Sequence, residues 1–443
     1  MTSTVAALLD ARAADAGVAL DGGDARWSWA DLRDAVDAEG APPRGGITWV
    51  DTSTQGRDAG APLVGLLQAL AGAGTIALPH PRWPAALTRD VKASLGDVEP
   101  PPAPGAQTLL FTSGSTGRPK AVLHRVDQHI AAAKASNARV PFGPGDRWLL
   151  SLPLCHVGGL AIVFRALVSS GGMVLPLPGE RATDALIRRG PSHVSLVAAQ
   201  LTELLEHDAG VRALRGCREV LVGGGPVAPA LVRRAADAGI PLRQTYGATE
   251  MGSQACTSAP GAPTSCGRPL DGITIIVGDD GMVAVNGPSR FLGYLDRTGL
   301  HRPFAADGSW ATGDIGHIDD DDGLVVDGRA DHRFISGGEN IHPEMVEAAL
   351  AAVPGVQQAV VVDVPDDRFG ARPAAFLALS DARALADGAM PTWLKEALAP
   401  KLPRFMVPVV AWPLPPSAGI KPARAALRAL ACERLGLGPQ AAD

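Results

Sequence analysis

Short apolar runs alternate with Ala/Leu-rich segments of helical spacing up to about residue 250, and this rhythm restricts the fold more than any other property of the sequence. Ile47–Val50, Leu109–Phe111, Trp148–Leu152, Val194–Val197 and Val220–Val222 read as strands. Between them, Val126–Arg139, Gly158–Val168, Ala199–Glu206 and Pro229–Ala238 repeat apolar residues at the spacing of a half-buried helix. Strand–helix alternation favours largely parallel sheets with helical crossovers. With two tyrosines and nine phenylalanines in 443 residues, the core must rest on Ala, Val, Leu and Ile.

The texture changes after Tyr246–Glu250. Ile273–Val277, Met282–Val285 and Leu324–Asp327 are short strands set off by Asp279-Asp280-Gly281 and Asp322-Gly323, which predicts antiparallel hairpins. From about Arg329 there follow a polar loop, a helix near Pro343–Ala352, strands at Gln358–Val364 and Ala374–Leu379, and helices near Thr392–Ala399 and Ala423–Glu433. The expected fold is α/β. A large N-terminal domain (1–329) combines βα-layered sheets with a small antiparallel β portion, and a small α+β C-terminal domain (330–443) follows, each of ordinary size.

A net charge of −6 argues against nucleic acid as the main partner, because a surface that tracks phosphates needs a basic excess. Five cysteines, an odd number without a CxxC pair, point to thiols in a reducing compartment. The N-terminal segment has neither a basic stretch nor a long apolar core, so no signal peptide is expected. The longest apolar run, Trp148–Val163, is broken by Pro153 and His156, and a membrane span needs about 20 apolar residues. A cytoplasmic enzyme is the expectation. The acidic run Asp319–Asp322 lacks the spacing of a calcium loop and reads as a hairpin turn.

Thr112-Ser113-Gly114-Ser115-Thr116-Gly117-Arg118-Pro119-Lys120 follows the strand Leu109–Phe111. Glycines and small hydroxyl residues let a backbone approach phosphate oxygens with its donors aimed at them, and Lys120 adds a cation. It is not a Walker A loop, because Pro119 stands where that motif needs glycine. Downstream, Tyr246-Gly247-Ala248-Thr249-Glu250 and Trp310-Ala311-Thr312-Gly313-Asp314 each end in a carboxylate.

The nine-residue loop resembles the phosphate-loop signature of the adenylate-forming superfamily: acyl-CoA synthetases, peptide-synthetase adenylation domains and luciferases. Matching segments recur in order, so the resemblance runs from Leu109 to the C-terminus. It implies that Thr112, Ser113, Gly114, Ser115, Thr116, Gly117 and Lys120 hold the phosphates of ATP. By the same likeness Tyr246 stacks near adenine, Gly247 beside it belongs to the nucleotide site, Thr249 meets the α-phosphate, Glu250 holds Mg²⁺, and Asp314 and Arg329 contact ribose and nucleotide. Asp331 matches the hinge about which the small domain, mobile in this family, rotates between two half-reactions. Gly337 and Gly338 match the tunnel for the pantetheine of coenzyme A, and Lys421 in Gly419-Ile420-Lys421 matches the catalytic lysine. The resemblance thus implies an ATP-dependent, AMP-forming acid–thiol ligase that makes an acyl-AMP and then an acyl-CoA thioester.

Leu154–Gly159 lies in the family's aromatic-gate segment, with His156 as the gate of the acid pocket; a structural histidine at a strand–helix corner is the other reading. Amino-acid-activating relatives carry an aspartate where this chain has Cys155-His156, so an amino-acid substrate is disfavoured, and the resemblance implies a small, aromatic carboxylic acid instead. The chain is most similar to o-succinylbenzoate–CoA ligases, which act in menaquinone synthesis. Aryl- or benzoate–CoA ligases and stand-alone adenylation proteins that load a carrier protein are the alternatives. A second substrate carboxylate would want a cation, for which Arg165, Arg243 and His193 are candidates. A homodimer is left open.

Overall fold

The structure is a computed structural model that describes residues 4–22, 26–38, 46–52, 60–72, 74–96, 98–101, 105–112, 119–262, 264–380, 385, 389–415 and 424–437. The expected strands and helices form close to their predicted limits. Arg147–Leu149, His193–Leu196, Glu219–Val222 and Leu242–Ala248 join Gly172–Val174 and Val18–Asp21 as the parallel centre of an eight-stranded sheet. Ser253–Thr257 and Arg26–Ser28 close its two edges antiparallel. The helix Val157–Ser169 is apolar around its whole surface apart from Arg165 and buries Leu160, Ile162, Val163, Phe164 and Leu167. Such a helix is stable only inside a core. Each of those side chains contributes roughly 1.5–3 kcal/mol when removed from water. The helix Val126–Arg139 packs against it, with Ala133 in the same apolar cluster and Ser136 reaching Arg165, small side chains that let the two helices approach closely.

The second sheet departs from the parallel expectation. Its six strands run in the order Gly299–His301, Gly293–Asp296, Lys120–Arg125, Gln107–Thr112, Thr75–Leu78, Ile47–Trp49, and only the last three are mutually parallel. The strand Lys120–Arg125 is the cause. It runs antiparallel to Gln107–Thr112, with Thr112 opposite Lys120. The apolar core of this strand, Ala121-Val122-Leu123, is buried.

Thr274–Val277, Met282–Asn286, Trp310–Ile318 and Leu324–Arg329 make a four-stranded antiparallel sheet, as the Gly/Asp turns predicted. Trp310–Asp314 begins a nine-residue strand held between two neighbours. In the C-terminal part, the long hairpin Val356–Asp366/Gly370–Leu379 receives Val410–Pro413 in parallel and packs against helices Pro343–Ala351 and Arg424–Arg434. Among the described residues no helix is long and apolar enough to cross a membrane.

Candidate active site

The chain has two tyrosines, and each hydroxyl is spent on a carboxylate of the candidate site. Tyr246, on the strand Leu242–Ala248, donates to Asp314 Oδ2 at 2.6 Å, and Tyr294, on Gly293–Asp296, donates to Glu250 Oε1 at 2.9 Å. Burial, reinforced by those carboxylates, holds both phenols far above their usual pKa, so they remain donors at any working pH.

Arg329 binds the same aspartate from the other side. Its Nη1 donates to Asp314 Oδ1 at 3.1 Å and to the Thr312 carbonyl at 3.0 Å, while Nε reaches Asp331 Oδ1 at 3.0 Å. Burial works against the guanidinium charge, but Asp331 and Asp314 more than offset it and raise its pKa. A carboxylate offers about four acceptor positions. Asp314 therefore keeps capacity for two ribose hydroxyls after serving Tyr246 and Arg329.

Glu250 lies on a single helical turn, Thr249–Met251, and is buried. Burial pushes its carboxyl up, against the opposing pull of the Tyr294 hydroxyl, Lys120 and Arg329. Lys120 Nζ stands 5.3 Å from the centre of the Tyr294 ring. A buried carboxylate whose charge is this poorly compensated fits a divalent cation, which would offset the desolvation cost. Thr249 is held through its backbone: the fully buried His124, pushed down to about 4 by burial, donates from Nε2 to the Thr249 carbonyl at 2.8 Å.

Thr112, Lys120, Tyr246, Thr249, Glu250, Asp314 and Arg329 are thus drawn together from both sheets and the antiparallel portion. Ser113, Gly114, Ser115, Thr116, Gly117 and Lys421 lie outside the described residues. Gly247 sits where the two last strands of the eight-stranded sheet slip register, and a Cβ there would stand 1.7 Å from the Ser253 carbonyl oxygen. Gly247→Ala is expected to cost more than the ~1–3 kcal/mol of ordinary overpacking, read as a lowered thermal midpoint with loss of nucleotide-dependent activity. An unchanged midpoint would show that the backbones can part.

Gly337 and Gly338 occupy the turn of a hairpin, Phe334–Ser336/Glu339–Ile341, where a polar loop was expected. Their φ angles of +61° and +91° match a two-residue turn in which both residues are left-handed, the usual source of tight hairpins. Gly337 N–H also donates to the Phe369 carbonyl at 2.9 Å. This conformational need for glycine stands beside the tunnel role implied by resemblance.

His156 is the residue before the helix Val157–Ser169 and lies 5.3 Å from the ring of His80. Of the three candidate cations for a second carboxylate, Arg243 is bound to Glu219 at 2.6 and 3.1 Å, and His193 is held between Ser192 and the Pro141 carbonyl. Arg165 is different. It is 3% exposed, donates to Ser136 Oγ at 2.8 Å and to Gln254 Oε1, and lies 4.8 Å over the Trp148 ring. These partners are all neutral, and burial pushes the guanidinium down to about 9.

Tyr294 and His124 were not anticipated from the sequence. A usable signal existed for the first, since a tyrosine in a chain with two of them is conspicuous. For His124 there was none, because its partner lies 125 positions away.

Comparison with known proteins gives a consistent set of likenesses. Residues 58–295 match the AMP-binding enzyme family and residues 345–416 the AMP-binding enzyme C-terminal domain. A 2-succinylbenzoate–CoA ligase of Bacillus cereus is 37% identical over 291 residues, 62% of this chain and 60% of the relative. The match with that relative thus spans about three fifths of its length. Its counterpart in another Bacillus cereus strain is 34% identical over 344 residues, 73% of this chain and 70% of the relative. Among solved structures, a single-substitution variant of E. coli MenE with bound OSB-AMS superposes with a TM-score of 0.80 at 29% identity, covering 97% of this chain and 99% of that one. The o-succinylbenzoate CoA synthetase (MenE) from Bacillus subtilis in complex with the acyl-adenylate intermediate OSB-AMP shares the fold, with a TM-score of 0.78 at 24% identity over 95% and 97% of the two chains.

Proposed function

The chain belongs to the AMP-binding enzyme family, and from that premise we propose that it is an ATP-dependent acid–CoA ligase acting on o-succinylbenzoate in menaquinone synthesis. The observation that carries the choice of acid is Arg165. A guanidinium buried among neutral partners is costly unless an anion joins it. The Trp148 face recovers only part of that cost. Arg165 lies on the helix that His156 heads, and its partner Gln254 is on the strand that follows Glu250. A substrate carrying a second carboxylate would supply the missing charge.

In the proposed first step the aromatic carboxylate attacks the α-phosphorus of ATP and pyrophosphate leaves. Asp314, braced by Tyr246 and Arg329, fixes the ribose, and Lys120 faces the phosphates. Glu250 would hold Mg²⁺, which supplies charge neutralisation on the phosphate oxygens. Lys421 is assigned to the growing charge at phosphorus. The domain boundary is placed between 329 and 330. Arg329 grips both Asp314 and the hinge residue Asp331, so rotation about the hinge would alter the brace on the ribose clamp as the thiol step begins. The five thiols are all free, which suits the reducing cytoplasm proposed as its location.

The test is pyrophosphate release from Mg·ATP across o-succinylbenzoate, benzoates, fatty acids and amino acids, with and without coenzyme A. Arg165→Met is measured beside the parent. Loss of a buried charge pair costs about 2–5 kcal/mol, so kcat/KM for o-succinylbenzoate should fall by roughly 30-fold or more. Benzoate, without the second carboxylate, should lose little. Equal losses for both acids would remove Arg165 from substrate recognition, and benzoate outperforming o-succinylbenzoate in the parent would overturn the assigned acid.

A further inference from the structure

His80, Cys155 and His156 come from distant parts of the chain and take no part in the nucleotide cluster. His80 follows the strand Thr75–Leu78 and is flanked by Pro79 and Pro81, whereas Cys155 and His156 lead into the helix Val157–Ser169. One donor atom from each lies within 4.8 Å of the other two, and the imidazole rings are 5.3 Å apart. Tetrahedral zinc, with bonds of about 2.0–2.1 Å to nitrogen and 2.3 Å to sulfur, sets its donors roughly 3.4–3.7 Å apart. Side-chain rotation can close such a gap without moving the backbone.

We propose that these three residues bind a thiophilic divalent transition-metal ion, zinc by type, leaving its fourth position to water or a small ligand. Two imidazoles and a thiol select zinc, copper or nickel over magnesium, which prefers oxygen. The site is therefore chemically separate from Glu250. The proton balance is simple: a thiol binds a metal as its thiolate, so coordination releases the Cys155 proton to solvent. The Arg82 N–H donates to His80 Nδ1 at 3.1 Å, which leaves the ring proton on Nε2. Binding through Nε2 shifts that proton to Nδ1 and gives up the Arg82 bond, a small loss beside a metal–ligand bond.

Two further features complete the site. Thr52 Oγ1 is buried and sits within hydrogen-bonding reach of the Cys155 thiol. A coordinated thiolate would accept from it, as outer-sphere donors commonly do around metal sites. A cavity of about 200 Å³, lined by Trp49, Asp51, His80, Trp83 and Lys92, opens on the His80 side of the site. One consequence rests on the function proposed above: an ion on His156 would pin the gate of the acid pocket and inhibit acid activation.

Co²⁺ titrated anaerobically into the full-length protein tests the site by its spectrum, independently of catalysis. One equivalent should raise a thiolate-to-cobalt charge-transfer band with the visible absorption of tetrahedral cobalt, and Zn²⁺ should displace it. Cys155→Ser should abolish the thiolate band, and His80→Gln should weaken Co²⁺ binding by more than about 10-fold. Zn²⁺ should inhibit pyrophosphate release by the parent but not by the His80→Gln protein, whose activity without zinc should match the parent's. No thiolate band in the parent, a band that survives Cys155→Ser, or an unchanged affinity in His80→Gln would each overturn the site. A protein that shows the band but activates none of the acids would retain the metal site and lose the proposed function.

Discussion

Lys421→Ala is expected to slow acid-dependent pyrophosphate release by about 10²–10³-fold, the usual cost of removing one preorganised donor from a developing charge. Thioester formation from supplied acyl-AMP and coenzyme A should stay near the parent rate. The asymmetry follows from the proposed division of labour, in which the lysine serves the step that builds charge on phosphorus and is withdrawn before the thiol attacks. The two half-reactions can be measured separately, one by pyrophosphate release and the other by thioester appearance in a single turnover. Equal losses in both would mean that Lys421 is needed for the fold or for both steps.

Glu250→Gln is expected to separate activity from stability. Pyrophosphate release should fall by about 10²-fold or more, and the Mg²⁺ concentration for half-maximal rate should rise, because an amide is a poor magnesium ligand beside a carboxylate. Stability without nucleotide should move the other way. The folded Glu250 carboxyl is held above its usual 4.5, chiefly by burial. Between 4.5 and that raised value the folded state therefore binds more protons than the unfolded one, and stability rises as pH falls through this window. Above it, the buried charge costs stability that a neutral amide, still able to accept from Tyr294, does not. Thermal unfolding at neutral pH and near pH 4.5 measures this directly: the variant should gain most at neutral pH and lose its advantage in acid. A variant destabilised at neutral pH would show that the attractions to Lys120 and Arg329 outweigh burial.

Where apolar periodicity was strong, local structure could be read from the chain. The helix Val126–Arg139 has its predicted limits, and the strands near residues 110, 148, 195 and 221 fall within a few residues of theirs. The failures share one cause. Trp310–Ile318 contains two glycines and an aspartate, yet pairing with Met282–Asn286 and Leu324–Arg329 makes it a strand. The hairpin around Gly337-Gly338 and the strand Val410–Pro413 likewise exist through partners outside their own segments. Strand formation depends on neighbours more than on intrinsic preference.

The candidate site divides along the same line. Motif order alone named the residues expected at phosphate, ribose and magnesium, because backbone approach, charge and hydrogen-bonding capacity are properties of residue type and close spacing. Which groups meet was a matter for the tertiary structure. Packing paired Tyr246 with Asp314 across 68 positions and Tyr294 with Glu250 across 44. It gave Arg243 a glutamate and left Arg165 among neutral partners, a distinction the two arginines do not carry in their own sequence surroundings. It also brought His80, in a stretch with no readable motif, to Cys155 and His156. Residue chemistry is local and survives in the one-dimensional string; charge compensation and coordination depend on distances between segments, and those exist only once the sheets have closed.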